Sequence, residues 1–175
     1  DALHIFLPVR ADYAELEPVI LRALHKRAAR PFDLPKLGPI IARFDKLTAY
    51  GTTDELNSFV GLARLSATGA TDDMLMRIQN DLFDIGADLC RPDMEQDAEA
   101  EYPPLRIIES QVNRLESEID AMNADLEPLR SFILPGGSAL SAHLHICRTV
   151  SRRAERKTTE LASIEEVNEW AVKYL

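Results

Sequence analysis

Beyond about residue 42, apolar positions recur at steps of three and four, the spacing that gathers side chains on one face of an α-helix. Residues 54–66 carry Leu56, Phe59, Val60 and Ala63 on one side; Thr52, Thr53 or Asp54 is placed to cap that helix, and Asp54 and Glu55 suit its N-terminal dipole. Residues 71–90 repeat the pattern with Leu75, Ile78, Leu82, Ile85 and Leu89, after a Thr71 cap and the acids Asp72 and Asp73. The most regular stretch is 103–123, where Leu105, Ile108, Val112, Leu115, Ile119 and Met122 form the seam of a bundle. A fourth helix spans 141–161, entered through Leu134-Pro135-Gly136-Gly137-Ser138, and residues 165–175 open a fifth. Residues 91–102 are acidic and are expected to be mobile. Helices joined by connections of modest length predict an all-α protein, an antiparallel five-helix bundle of the ferritin-like, up-and-down kind.

The first 41 residues follow no such rule and form an atypical N-terminal segment ahead of a helical domain at 42–175. His4-Ile5-Phe6-Leu7-Pro8-Val9 reads as a short strand or an extended arm. Leu16, Val19, Ile20, Ala23 and Leu24 have helical spacing, with His25-Lys26-Arg27 where positive charge suits a helix C-terminus. Pro31, Pro35 and Pro39 make 30–40 a linker.

Composition narrows the class. A chain of 175 residues with 46% hydrophobic content suits one domain with a real core and argues against disorder. With 7 Gly and 10 Pro it is too poor in turn formers for a sandwich or barrel. Cys90 and Cys147 cannot build a disulfide framework, and both read as reduced core thiols. No run approaches the roughly 18 apolar residues of a membrane span, and no signal peptide opens the chain, so a soluble cytoplasmic protein without a membrane partner is expected. A formal charge of −9 disfavours nucleic acid, whose binding rests on excess positive charge.

The segment with chemical promise is Cys147-Arg148-Thr149-Val150-Ser151-Arg152-Arg153-Ala154-Glu155-Arg156-Lys157. On a helix Arg148 and Arg152 stand one turn apart, with Glu155 and Arg156 on the same flank, opposite an apolar stripe of His143, Cys147, Val150, Ala154 and Leu161. Like charges so stacked cost a few tenths of a kcal/mol per pair, and Glu155 alone cannot neutralise five cations. Two readings stand: a solvated face with surface ion pairs, or a polyphosphate site, for which guanidinium forks suit phosphate oxygens. Gly136-Gly137-Ser138 upstream is a capped loop or a close-approach loop for an anion. No Gly-Lys-Ser/Thr occurs, which excludes a P-loop. His143 and His145, two apart, diverge on a helix and are poor joint metal ligands, and no Glu-x-x-His pair supports a di-iron bundle. Asp54-Glu55 either serves the helix dipole or supplies Asp54 as a partner for one of the arginines across a subunit boundary.

Four motifs in order, Tyr50-Gly51-Thr52-Thr53-Asp54-Glu55-Leu56-Asn57-Ser58, Gln79-Asn80-Asp81-Leu82-Phe83-Asp84-Ile85-Gly86, Phe132-Ile133-Leu134-Pro135-Gly136-Gly137 and Cys147-Arg148 through Arg152-Arg153-Ala154-Glu155-Arg156, resemble those of the PduO-type ATP:cob(I)alamin adenosyltransferases. The resemblance covers 42–175. It implies a homotrimer of five-helix bundles with active sites between subunits. It implies transfer of the 5′-deoxyadenosyl group of ATP to reduced cobalamin, with release of triphosphate and with Mg²⁺ taking part.

By the same resemblance Arg148 pairs across the interface with Asp54. Arg148, Arg152 and Glu155 line the ATP site, with Arg153 in the same motif, and Arg148, Arg152 and Asp54 are the expected catalytic residues. Phe132 lies beside the lower face of the corrin ring and helps exclude the lower axial ligand. Residues 1–41 hold nothing like the family's Thr-x-Thr-Gly-Asp-x-Gly phosphate loop, and its Asn-Arg-Leu-Ser-Asp continuation does not follow Leu175. The expectation is that segments of the natural protein lie outside these residues. Two other classes of function remain: a non-catalytic bundle that carries or senses ATP or cobalamin, and a basic-helix module for polyanions.

Overall fold

Side-chain partners, taken in order along the chain, give the direction of each helix. In the computed structural model, which describes residues 37–175, a short turn joins α1 (Leu37–Arg64) to α2 (Ala70–Cys90). Asn57 meets Gln79 and Arg64 meets Asp72, so the end of α1 faces the start of α2 and the pair is antiparallel. The same reversal links α2 to α3 (Glu109–Asn123), where Arg77 reaches Glu118, Asp81 takes Arg114 and Asp84 takes Gln111. The next helix, α4 (Ala139–Ala162), returns along α1: Arg153 pairs with Glu55, and Glu165, just beyond α4, lies 3.3 Å from Lys46. Finally α5 (Glu169–Tyr174) runs beside α2 and α3, with Asn168 on Asp88 and Tyr174 on Asp81. Among the described residues there are five α-helices, alternately up and down, one 3₁₀ helix η1 (Met94–Glu99), and no strand. The expected all-α bundle is the fold.

Its core gathers one stripe from each helix, including Leu56 and Val60 of α1, Leu82 and Ile85 of α2, Val112 of α3, Val150 and Leu161 of α4, and Ala171 of α5. Each large aliphatic side chain so buried contributes about 1.5–3 kcal/mol. Gly61 lets α1 approach α2 closely, because a Cβ there would lie 3.0 Å from the Gln79 amide nitrogen. No described helix is long and apolar enough to cross a membrane.

Several boundaries differ from the sequence expectations. The arm at 4–9, the helix at 16–24 and most of the proline linker lie outside the described residues. The end of that linker does not: α1 already begins at Leu37. Pro39 is tolerated because the first turn has backbone N–H groups without intrahelical acceptors. Thr52, Thr53 and Asp54 therefore do not cap a helix but sit inside one. The Thr52 and Thr53 hydroxyls donate back one turn to the carbonyls of Thr48 and Ala49, at 2.7 and 3.1 Å. Thr71 is not a cap either, since α2 starts at Ala70 after Gly69, whose φ of 57° suits glycine.

The third helix starts at Glu109 rather than near Pro103. Ile107 N–H is taken by the Asp88 carboxylate at 2.9 Å and Ile108 N–H by the Gln111 side-chain oxygen at 2.9 Å, which holds the preceding residues extended. Of its expected seam only Val112 is buried and Leu115 partly so; Leu105, Ile108, Ile119 and Met122 are exposed. Helix α4 begins at Ala139 and α5 at Glu169. Cys90 is exposed at the end of α2, so only Cys147 fits the core-thiol expectation.

The acidic segment is not a free loop. Arg106 grips Asp97 of η1 with two hydrogen bonds, at 2.8 and 3.0 Å. That contact holds the Asp97 carboxyl below its ordinary value of 3.8, and Arg64 does the same to Asp72. A carboxyl depressed on folding stabilises the fold above its unfolded pKa, and the effect is lost as pH falls through the folded value. Protection of the amides across 91–107, taken relative to their intrinsic exchange rates, should therefore persist at neutral pH and fall only below about pH 4; lost protection near neutrality would contradict the clamp.

Candidate functional site

The arginine helix, α4, begins where its sequence demands. Gly137 has φ 101°, a backbone region that side chains disfavour, and Ser138 follows as the cap, its Oγ accepting from Ser141 N–H at 3.1 Å. From that start the helical repeat turns Cys147, Val150, Ala154 and Leu161 into the core and Arg148, Arg152, Arg153 and Arg156 outward.

The cations are not equivalent. Arg153 is paired with Glu55 of α1, Arg152 with Glu155 on its own helix, and Lys157 with Glu160 at 2.7 Å. Arg148 and Arg156 have no ion pair among the described residues. The sequence reading weighed Glu155 as the one local counter-charge and missed Glu55; the signal lay in its place beside Leu56, once α1 is known to run through it rather than start there. Arg148 borders a cavity of about 340 Å³ with Ser138, Leu140, Ser141, Leu144 and His145. His145 lines it and His143 does not, and the Nδ1 atoms of both are buried without a hydrogen-bond partner. Burial pushes the Cys147 thiol above its ordinary value, which fits an inert core group. Among the described residues no three His, Cys, Asp or Glu side chains form a metal cluster.

Asp54 lies elsewhere. Successive helix positions diverge by about 100°, so Glu55 faces α4 while Asp54 borders a groove of about 320 Å³ between α1, α2 and Leu105. Asp54 has no ion pair among the described residues, and within one chain it does not meet Arg148. Tyr50, Phe83 and Leu105 stand exposed around that groove, giving it apolar walls. Asn57, buried at its edge, donates to Gln79 O at 3.3 Å and receives Gln79 Nε2 on its own carbonyl at 3.1 Å, while its Oδ1 has no partner. Phe132 projects into solvent from the segment before α4 and lines neither cavity. The sequence-predicted residues thus fall in three places on one chain: Arg148, Arg152, Arg153 and Glu155 on α4, Asp54 on the groove, and Phe132 in the exposed segment before α4.

The sequence profile described as cobalamin adenosyltransferase matches residues 43–175. The chain belongs to that family. Among curated adenosyltransferases it is similar to the corrinoid adenosyltransferase of Mycobacterium leprae (strain TN), 50% identical over 121 residues that cover 66% of this chain and 62% of the relative. The corrinoid adenosyltransferase of Bacillus subtilis (strain 168) is 41% identical over 152 residues, 82% of this chain and 75% of that protein. The chain therefore spans less than two thirds of the first relative's length and three quarters of the second's. A variant of the PduO-type ATP:corrinoid adenosyltransferase from Lactobacillus reuteri, complexed with cobalamin and ATP, superposes with a TM-score of 0.63 at 34% identity, covering 74% of this chain and 71% of that one. The PduO-type resemblance read from the four motifs is borne out.

Proposed function

We propose that this chain is an ATP:cob(I)alamin adenosyltransferase, and that its domain at 42–175 carries the reaction. The observation that carries this reading is the joint presence of an outward arginine row and a separate apolar groove on a bundle of the adenosyltransferase family. The relatives' printed activities and the cobalamin and ATP held by the Lactobacillus reuteri enzyme agree with it.

The reduced cobalt supplies the electron pair. It attacks C5′ of ATP, a Co–C bond forms, the C5′–O bond breaks, and triphosphate leaves with the bonding pair; cobalt passes formally from Co(I) to Co(III). The protein needs no nucleophile of its own, only positioning and electrostatics. Charge grows on the leaving triphosphate, so fixed guanidinium groups of Arg148, Arg152 and Arg153 stabilise the transition state more than the ground state. Glu155 orients Arg152 toward that role. Mg²⁺ enters as part of the substrate MgATP, held chiefly by phosphate oxygens and water. The groove beside Asp54 takes the apolar body of the corrinoid, and Phe132 covers its lower face against water and a nitrogen ligand. A cytoplasmic setting supplies ATP and reductant.

The working form is a homotrimer in which Arg148 of one copy meets Asp54 of the next. Both side chains lack ion pairs among the described residues, and Ile119, Met122, Leu126, Leu129 and Leu134 leave apolar surface uncovered. Asp54→Asn is expected to weaken the trimer or its activity, because an interfacial charge left without its partner costs far more than an exposed one; sedimentation velocity and turnover read both, and an intact, fully active trimer would refute the pairing.

The test of the function is anaerobic incubation with MgATP and chemically reduced cobalamin. Stoichiometric adenosylcobalamin and triphosphate are expected. Tight binding of ATP or cobalamin without a Co–C bond would replace the enzyme by a carrier or sensor, and indiscriminate, salt-sensitive binding of polyanions would replace both.

A further inference from the structure

The groove beside Asp54 owes one wall to a residue that does not touch it. Leu105 closes the groove opposite Phe83 and Tyr50, and Cys90 ends the α2 side. These two walls are the two ends of the excursion 91–104, which leaves α2 and returns ahead of α3. The next residue in sequence, Arg106, ties both ends together. Its Nη1 donates to the Asp88 carboxylate at 2.6 Å, to the Asp88 carbonyl at 3.1 Å and to the Arg91 carbonyl, while Nε and Nη2 form a fork on Asp97 in the middle of the excursion. The remaining Asp88 oxygen receives Ile107 N–H and Asn168 Nδ2, so the returning segment is held at Arg106 and at the residue after it. Every hydrogen-bonding nitrogen of this guanidinium is used. Yet the wall it sets in place is largely bare: Leu105 is 60% exposed and Phe83 66%.

A clamp of this kind around uncovered apolar side chains preorganises a surface for a ligand. Ordering a mobile wall at the moment of binding costs conformational entropy, and a wall ordered beforehand spares that. We propose that Arg106, with Asp97 and Asp88, is a positioning residue that holds Leu105 against the corrinoid and so sets corrinoid affinity without acting on ATP. The inference rests on the functional reading above, with the groove as the corrinoid side of the site.

The test compares wild type with Asp97→Ala, which opens the fork at its outer end, and with Leu105→Ala, which removes the wall while leaving the clamp. In steady-state adenosyl transfer, both variants should raise the corrinoid KM by about tenfold, with the ATP KM and kcat within about twofold of wild type. Arg106→Lys, which keeps the charge and loses the fork, should shift the same KM in the same direction. A corrinoid KM unchanged in a folded Leu105→Ala protein, or ATP and corrinoid KM values rising together in Asp97→Ala, would overturn the proposal. If Asp97→Ala does not fold, Leu105→Ala decides, being a surface truncation. Should wild type form no adenosylcobalamin, the functional reading fails separately, and equilibrium dialysis with cob(II)alamin decides the present one. Weaker binding by Leu105→Ala than by wild type sustains the wall; equal binding, or none by wild type, ends it.

Discussion

Arg152→Ala is expected to keep the helical fold and to lose adenosyl transfer by about 10²–10³-fold, the scale of removing one preorganised donor from developing charge. Its structural role is small. The Arg152 side chain is 63% exposed, and its pairing with Glu155 lies along one helix surface; exposed pairs of this kind contribute about 0–1 kcal/mol. A collapse of activity in a protein with an unchanged melting temperature would thus report on chemistry. The division between constants is informative too. If Arg152 acts on the leaving triphosphate, kcat and kcat/KM should fall together; a rise in the ATP KM alone would make it a binding group only. Arg152→Lys should recover part of the rate, because the charge returns without the fork. Unaltered adenosylcobalamin formation in Arg152→Ala would remove this residue from the site.

The three central arginines differ in what they give up to act. Arg153 pairs with Glu55 on the neighbouring helix, across the seam between α1 and α4, with both side chains nearly half exposed. Arg152 pairs with Glu155 on its own helix, with its side chain 63% exposed. Arg148 has no counter-charge among the described residues and is the one left free for a partner subunit or ligand. A stack of like charges costs little per pair, so the chain tolerates the row in isolation, and its energetic meaning arises only on binding.

How much of this was legible beforehand follows the physics of each element. The periodic blocks that became α2 and α4 were visible because their apolar stripes turn inward, with Leu82, Ile85 and Val150 where the repeat put them, whereas the α3 seam turns in only Val112 and part of Leu115. The start of α1 was not, because threonine before an acid reads as a cap, and only tertiary structure shows Thr53 fully buried and back-bonded inside a helix. The start of α3 failed for a different reason: a distant carboxylate, Asp88, captures Ile107 N–H and keeps 103–108 extended against a helical repeat. The arginine row was legible as a cluster of charge, and the four motifs named the family. Its division into committed and free members was not, since Glu55 lies 98 positions away from Arg153. Arg106 escaped notice altogether because nothing local marks it; its partners come from α2, from η1 and from the excursion between them.

Asp88 should be the most costly single position in the fold. Its side chain is 2% exposed and accepts from Arg106 at 2.6 Å, from Ile107 N–H at 2.9 Å and from Asn168 at 2.7 Å. Asp88→Ala would take one of two carboxylates from Arg106, which keeps its fork on Asp97, and would leave the Ile107 N–H and an Asn168 amide hydrogen without their acceptor; breaking a buried pair by removing one partner costs about 3–5 kcal/mol. For a chain of this size that corresponds to a fall in Tm of roughly 10 °C or more. Asp88→Asn should be nearly as damaging despite its shape, because its amide NH₂ would confront donors at one of the two oxygen positions. The loss should also spread. Asn168 accepts Trp170 N–H at 3.1 Å and donates to Ile107 O at 2.8 Å, so the same change loosens the entry of α5 and, through Arg106, the excursion 91–104. Hydrogen exchange should therefore accelerate in both regions at once in Asp88→Asn, whereas Asp97→Ala should loosen only the excursion. A melting curve for Asp88→Ala within a degree or two of wild type would show that these hydrogen bonds do not carry the junction of α2, α3 and α5.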